Sequence, residues 1–239
     1  MENLSNKTVR EIALANPVST RVFEELKIDF CCGGKKNFAQ ACLESGVDAD
    51  AVAARIDAES RKSESSEDFD FRTATELIAH IESTHHVFTR TEINALPQLM
   101  DKVAGKHSQS HPNLVQLKQA VFELLADLEP HLLKEERILF PYISNLERYE
   151  SIGETPPPPP FGTVRNPVAM MSKEHDNAGD LLRRIRRLAD EFEPPENACL
   201  SFRALYARLA DLEADLHMHI HKENNILFPM ALRLEERFG

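Results

Sequence analysis

Residues 131–141 read HLLKEERILFP, and residues 219–229 read HIHKENNILFP. Seven of the eleven letters agree in register: His, Lys, Glu, Ile, Leu, Phe and Pro. Each copy places a glutamate four residues after its leading histidine. On a helix that interval sets both side chains on one face, a turn apart. Apolar letters fall on the same face: Leu124, Leu128, Ile138 and Leu139 with His131 and Glu135, and Leu212, Leu216, Ile226 and Leu227 with His219 and Glu223. Both pairs are therefore expected to point into a core. A buried, unpaired carboxylate is costly and either takes up a proton or finds a cation. Two such pairs call for a metal, and imidazole with carboxylate is a metal-binding set.

Around these phrases the pattern is helical at length. Residues 73–102, 113–148, 166–192 and 199–237 repeat apolar letters three and four apart, and no alternating strand pattern occurs. The stretch GETPPPPPFG, residues 153–162, cannot enter a helix and separates the segments into two pairs. Four long segments with an internal duplication predict an all-α, up-down-up-down four-helix bundle. Upstream, residues 7–60 predict a small helical unit. Thr8 caps its first helix, Pro17 opens its second, Cys31-Cys32-Gly33-Gly34 breaks the chain and Asp48 caps its last helix. RKSESSED at 61–68 has linker composition. The expected division is a module in 1–60, a linker in 61–70 and a bundle in 71–239.

Two further histidines complete the constellation. His175 shares a helical face with Val168, Met171, Ala178 and Leu182, and the first bundle helix carries the doublet His85-His86. Taking His86, the four histidines are spaced by 45, 44 and 44 residues, the step expected of one level in a bundle. Amphipathicity favours His85 instead, because Ile78, Ile81 and Phe88 fall beside it. Four imidazoles and two carboxylates at one level can hold two metal ions, with the carboxylates between them. Iron suits this set better than magnesium or calcium, whereas zinc and manganese stay open. His217 and His221, two places from His219, are expected on the surface. His80, His107 and His111 receive no role.

Composition narrows the setting. A formal charge of −11 argues against nucleic acid, which needs a basic surface. No apolar run reaches the roughly 18–20 residues of a membrane span. The opening MENLSNKTVREI lacks a signal pattern, so the cytoplasm is the expected location. Four cysteines, at 31, 32, 42 and 199, form no CxxC pair and are expected to be thiols. Cys42 and Cys199 read as core residues. Adjacent thiols do not easily chelate one metal, but Cys31 and Cys32, beside glycines in a turn, read as reactive.

The phrases HLLKEERILFP, SKEHDNAGDLL and HIHKENNILFP make residues 72–239 resemble the hemerythrin-like di-iron fold. Residues 1–60, with DFCCGGKK, resemble the module that accompanies that bundle in the RIC (repair of iron centres) proteins. The resemblance covers nearly the whole chain. It implies metal ligands at His86, His131, Glu135, His175, His219 and Glu223, with His85 standing where the family usually has an aromatic residue. It also implies two iron ions, oxo-bridged, and a redox or iron-transfer role for Cys31 and Cys32. The implied activity is repair of iron–sulfur clusters damaged by nitric oxide or peroxide, by donating iron to the damaged proteins as clients. Reduction of nitric oxide, and binding or sensing of oxygen or nitric oxide, remain alternatives. Asp127 and Glu174 lie close enough to the ligands to support them. Pairing of the module into a homodimer is compatible with the sequence but not demanded by it.

Overall fold

The computed structural model describes residues 4–62 and 71–238, and these are helical apart from loops and one isolated bridge between Thr8 and Asn37. Helix α1 (Val9–Ala15) opens with a capping box: the Thr8 hydroxyl accepts the Glu11 amide, and the Glu11 carboxylate accepts the Thr8 amide at 2.7 Å. Pro17 precedes α2 (Val18–Glu25), Asn37 caps α3 (Phe38–Glu44), and Asp48 accepts the Ala51 amide at the start of α4 (Ala49–Lys62). Phe23, Ile28, Phe30, Phe38, Val52 and Ile56 pack into a core between them. Helix α4 runs two residues into the stretch expected as linker, and 63–70 lies outside the described residues.

The bundle has four long rods. The first is α5 (Ala74–Ile81), a π-helical turn at Glu82–His86 and α6 (Val87–His107). The second is α7 (Asn113–Lys134), a π-turn at Glu135–Leu139 and α8 (Phe140–Ile152). The third is α9 (Arg165–Leu188). The fourth is α10 (Leu200–Lys222), a π-turn at Glu223–Leu227 and α11 (Phe228–Glu236). The five prolines form the extended crossover between second and third rods. No described helix is long and apolar enough to cross a membrane.

A π-turn adds one residue to a turn and so rotates everything downstream by about 100° relative to an uninterrupted helix. In the first rod the buried positions of α5 are Ala74, Leu77, Ile78 and Ile81, and those of α6 include Thr89, Leu96, Met100 and Val103. An α-helix continued from Ile81 would turn His85 to the centre; the added residue turns His86 there instead. In the second rod the same shift buries Leu139 and leaves Ile138, expected on the core face, 50 % exposed. Pro141 and Pro229 follow these turns at the first positions of α8 and α11, where a missing N–H is tolerated.

The apolar core falls into two clusters on either side of the histidine level. Leu124, Leu128, Leu212 and Leu216 belong to one; Ile81, Leu139, Met171 and Leu227 belong to the other. The small module docks on the fourth rod. His221 is fully buried and its Nδ1 lies 3.3 Å from the Phe30 carbonyl; His217 pairs with Glu24 at 2.8 Å. The expectation that both are surface residues fails because the module covers that face, which a helical-wheel reading of one rod cannot show. Cys42 is buried, whereas Cys199 is half-buried and packs against the edge of the bundle core from the N-cap of α10, beside His107 (3.3 Å).

The joint leaves little room at Gly34. A Cβ there would lie 2.8 Å from the Phe30 carbonyl oxygen and 3.2 Å from Arg10 Cβ, whereas one at Gly105 would meet nothing within 4 Å. Gly34→Ala is expected to destabilise the protein by about 1–3 kcal/mol through overpacking. Gly105→Ala, in a helix interior, is expected to stabilise it by about 0.5–1 kcal/mol. Denaturant unfolding of the two variants against wild type checks the pair.

Candidate metal centre

The six residues singled out from sequence meet at one level of the bundle. Donor atoms of His86, Glu135, His219 and Glu223 lie within 4.8 Å of one another, and so do those of His131, Glu135, His175 and Glu223. The two sets share both carboxylates. Glu135 turns Oε2 toward His86 Nε2 (3.5 Å) and Oε1 toward His131 Nε2 (3.3 Å). Glu223 turns Oε1 toward His219 Nε2 and Oε2 toward His175 Nε2, both at 3.1 Å. Each carboxylate thus offers one oxygen to each set.

The far side of three rings is fixed by hydrogen bonds. His86 Nδ1 meets Glu136 at 2.7 Å, and Glu136 is itself gripped by Arg90 through both oxygens. His131 Nδ1 meets Glu174 at 2.8 Å, and Glu174 also pairs with Lys134. His175 Nδ1 meets the Asn224 side-chain oxygen at 3.0 Å. An Nδ1–H donated outward leaves the Nε2 lone pair facing the centre, the tautomer a metal needs. His219 is held differently. Its Nδ1 has no hydrogen-bond partner among the described residues, and its ring stacks on His85 with centroids 5.3 Å apart and planes 3° from parallel. His85 is pinned through Nδ1 to Asp215 (2.8 Å) and through Nε2 to Lys222 Nζ (3.0 Å). Of the doublet, His86 belongs to the donor sets and His85 backs one of them. Sequence reading missed Glu136, Asn224, Asp215 and Lys222; Glu136 and Asn224 each directly follow a core glutamate, the one signal that pointed to them.

Charges at this level are unbalanced without a cation. Burial drives the His175 pKa down, but Glu223 and Glu135 outweigh it and hold it up at about 9. His86 is likewise raised, its carboxylate neighbours prevailing over burial. Burial pushes Glu223 up, but His219 and His175 hold it well below the usual carboxylate range. The hydrogen bond from His131, with Lys134 beside it, takes Glu174 down to about 2. Yet His86 Nε2, both Glu135 oxygens and Glu223 Oε2 make no geometrically sound hydrogen bond, and Nε2 of His131 and His175 face each other at 3.2 Å. Orphaned, fully buried donors converging from four rods fit metal ions. A cavity of about 190 Å³, with Asp127, Lys134, Glu174 and Asn177 on its walls, reaches His131, His175 and His219 from outside.

Residues 77–231 match the family profile described as the hemerythrin HHE cation binding domain, and residues 5–60 match one described as a domain of unknown function, DUF542. The chain belongs to the hemerythrin family. Over 230 residues it is 34 % identical to proteins named iron-sulfur cluster repair protein YtfE from Yersinia pseudotuberculosis serotype IB (strain PB1/+), Yersinia pestis (strain Pestoides F) and Dickeya chrysanthemi (strain Ech1591). These alignments cover 96 % of this chain and 98 % of each relative, so the chain also belongs to that family of cluster-repair proteins. The bundle is accordingly a cation-binding domain of the hemerythrin type, with iron the metal its family implies.

The cysteine turn of the module lies against this domain. Asp29 Oδ1 accepts the amides of Cys31, Cys32 and Gly33 at 3.2, 3.0 and 2.9 Å and so holds the turn closed. Cys32 Sγ sits 3.5 Å from the carbonyl oxygen of His175, and Asn224, which holds the ring of His175, donates to the Cys31 carbonyl at 3.4 Å. Cys31 is buried and Cys32 half-buried, and both are thiols.

In the metal-free protein, protons do what a cation would do. With its pKa raised to about 9, His175 stabilises the fold fully below about pH 6.5, and the contribution fades as pH rises through 9. Metal binding needs the neutral ring, so affinity for iron(II) is expected to fall as pH drops from 9 to 6, by about tenfold per pH unit for each proton displaced. At pH 8, iron(II) at about a hundred times its Kd is expected to raise Tm by roughly 5–10 °C. Thermal unfolding against metal concentration at several pH values reads both effects.

Proposed function

We propose that this chain repairs iron–sulfur clusters damaged by oxidative or nitrosative stress, using a di-iron centre as its store of iron. The observation that carries the reading is the sharing of Glu135 and Glu223: each gives one oxygen to each pair of imidazoles, which suits two metal ions bridged by carboxylates. One ion would be held by His86 and His219, the other by His131 and His175, with both glutamates between. Likeness along nearly the whole chain to proteins named for cluster repair supports the activity. Four free thiols suit a reducing, cytoplasmic setting, and the separate matches at 5–60 and 77–231 suit a module in 1–60 joined through 61–70 to a bundle in 71–239.

Iron in such a centre is the cargo to be passed to the client. The residues of the chain are suited to let it go. A proton taken up at Nε2 of His175 competes directly with the metal, and the carboxylates that raise the pKa of this ring make that proton welcome. Lys134 and Glu174 stand at the mouth of the cavity over His131, where Glu174 stays charged at neutral pH. Cys31 and Cys32, hydrogen-bonded to the backbone and to the holder of His175, are placed to receive iron or to react with nitric oxide at the edge of the centre.

The test begins with iron-loaded protein. Two iron ions per chain are expected, falling to well below one in a His131→Ala/His219→Ala variant, while His85→Ala retains a larger share than His86→Ala. Incubated with a cluster enzyme inactivated by nitric oxide, the loaded protein is expected to restore activity as its own iron declines, and Cys31→Ala/Cys32→Ala to slow that restoration. Repeated consumption of nitric oxide with an electron donor, without loss of iron or recovery of the client, would overturn donation in favour of nitric oxide reduction.

A further inference from the structure

A third set of donors lies outside the carboxylate-bridged centre. Cys31, Cys32 and Asp29 bring two sulfurs and a carboxylate oxygen within 4.8 Å of one another in a single turn. The two sulfurs are 3.8 Å apart. A tetrahedral ion with bonds of about 2.3 Å to sulfur has a sulfur–sulfur edge of about 3.8 Å. Asp29 Oδ1 accepts three amides, which fold the turn and bring the adjacent sulfurs together, and Oδ2 is the carboxylate oxygen left to meet an ion.

We propose that Asp29, Cys31 and Cys32 form a second, separate cation site, for a tetrahedral, thiophilic divalent ion. Beside the turn lies a cleft between module and bundle. This cavity of about 240 Å³ has Asp29, Cys31, Phe30, Gly179 and His217 among its lining and leaves space for water or a donor from another molecule. A site with three protein donors and an open corner suits an ion that is exchanged, in contrast to the closed four-donor sets that build structure. On binding, each thiol releases its proton to solvent as a metal–sulfur bond forms, and no electron is transferred. Arg183, 3.7 Å from the outer oxygen of Asp29, is half-exposed and makes its shorter ion pair with Asp180 at 2.7 Å, so an ion at Asp29 would replace only the longer contact. The site shares its two cysteines with the transfer role given above, and rests on that reading only for iron as the ion it carries in the cell.

Cobalt(II) alone, added to the reduced full-length protein, separates the two sites. The carboxylate-bridged centre has no sulfur donor, so a thiolate-to-cobalt charge-transfer band with strong tetrahedral visible bands reports only on the cysteine turn. These bands are expected in wild type, in Cys42→Ser/Cys199→Ser and in His131→Ala/His219→Ala, and are expected to be lost in Cys31→Ser/Cys32→Ser. Asp29→Asn, which keeps the oxygen that holds the turn but removes the charge, is expected to weaken cobalt binding by about tenfold or more. Circular dichroism and the unfolding midpoint show that each variant is folded. Bands that survive Cys31→Ser/Cys32→Ser, or that vanish with His131→Ala/His219→Ala, would overturn the site. Since no client enters this experiment, its outcome stands apart from that of cluster repair.

Discussion

Two carboxylates at the centre of a helical bundle govern this molecule. Glu135 and Glu223 are fully buried, and a carboxylate removed from water is expensive unless charge and hydrogen bonds compensate it. Four imidazoles from four rods converge on them, and apolar clusters close the level above and below. Without metal, the carboxylates raise the pKa of His86 and His175 and so favour protons there; a bound cation would meet the same donors. Folding and cation binding are therefore linked here through the same few atoms, and the cost of burying the glutamates is offset only when something positive lies between them.

The donors are aimed by what stands behind them. Glu136, Glu174 and Asn224 hold three rings by their outer nitrogens, and two of these holders are tied to cations, Arg90 and Lys134. The fourth ring leans on His85, an imidazole locked at both nitrogens and lying flat against it.

Much of this was legible because the chain repeats itself. The doubled His-x-x-x-Glu phrase, its apolar neighbours and the even spacing of four histidines pointed to a bundle and to the six side chains that the fold brings together. What escaped notice has physical causes. Periodicity counts 3.6 residues per turn, so the π-turns displaced some readings that crossed them, the amphipathic preference for His85 over His86 and the inward placing of Ile138, while Leu139 and Leu227 are buried as expected. His217 and His221 were placed on the surface because the reading took one rod at a time, and their cover comes from a module nearly 200 residues earlier in the chain. Cys199, read as a core residue from its neighbours, packs only against the edge of the core because it stands at a helix start.

Three of the four positions at which the repeated phrases differ have a use of their own. Where the first copy has Leu133, Glu136 and Arg137, the second has His221, Asn224 and Asn225, and all three of these touch the loop from Phe30 to Cys31. Arg10 completes the joint on the carbonyl of Asn225. The shared His and Glu supply donors to the centre, whereas His221, Asn224 and Asn225 build a socket for the module, with Asn224 also holding the His175 ring, so the two copies of the phrase are not interchangeable. The socket relies on amides and imidazole more than on leucine, and such a surface is at ease in water when uncovered.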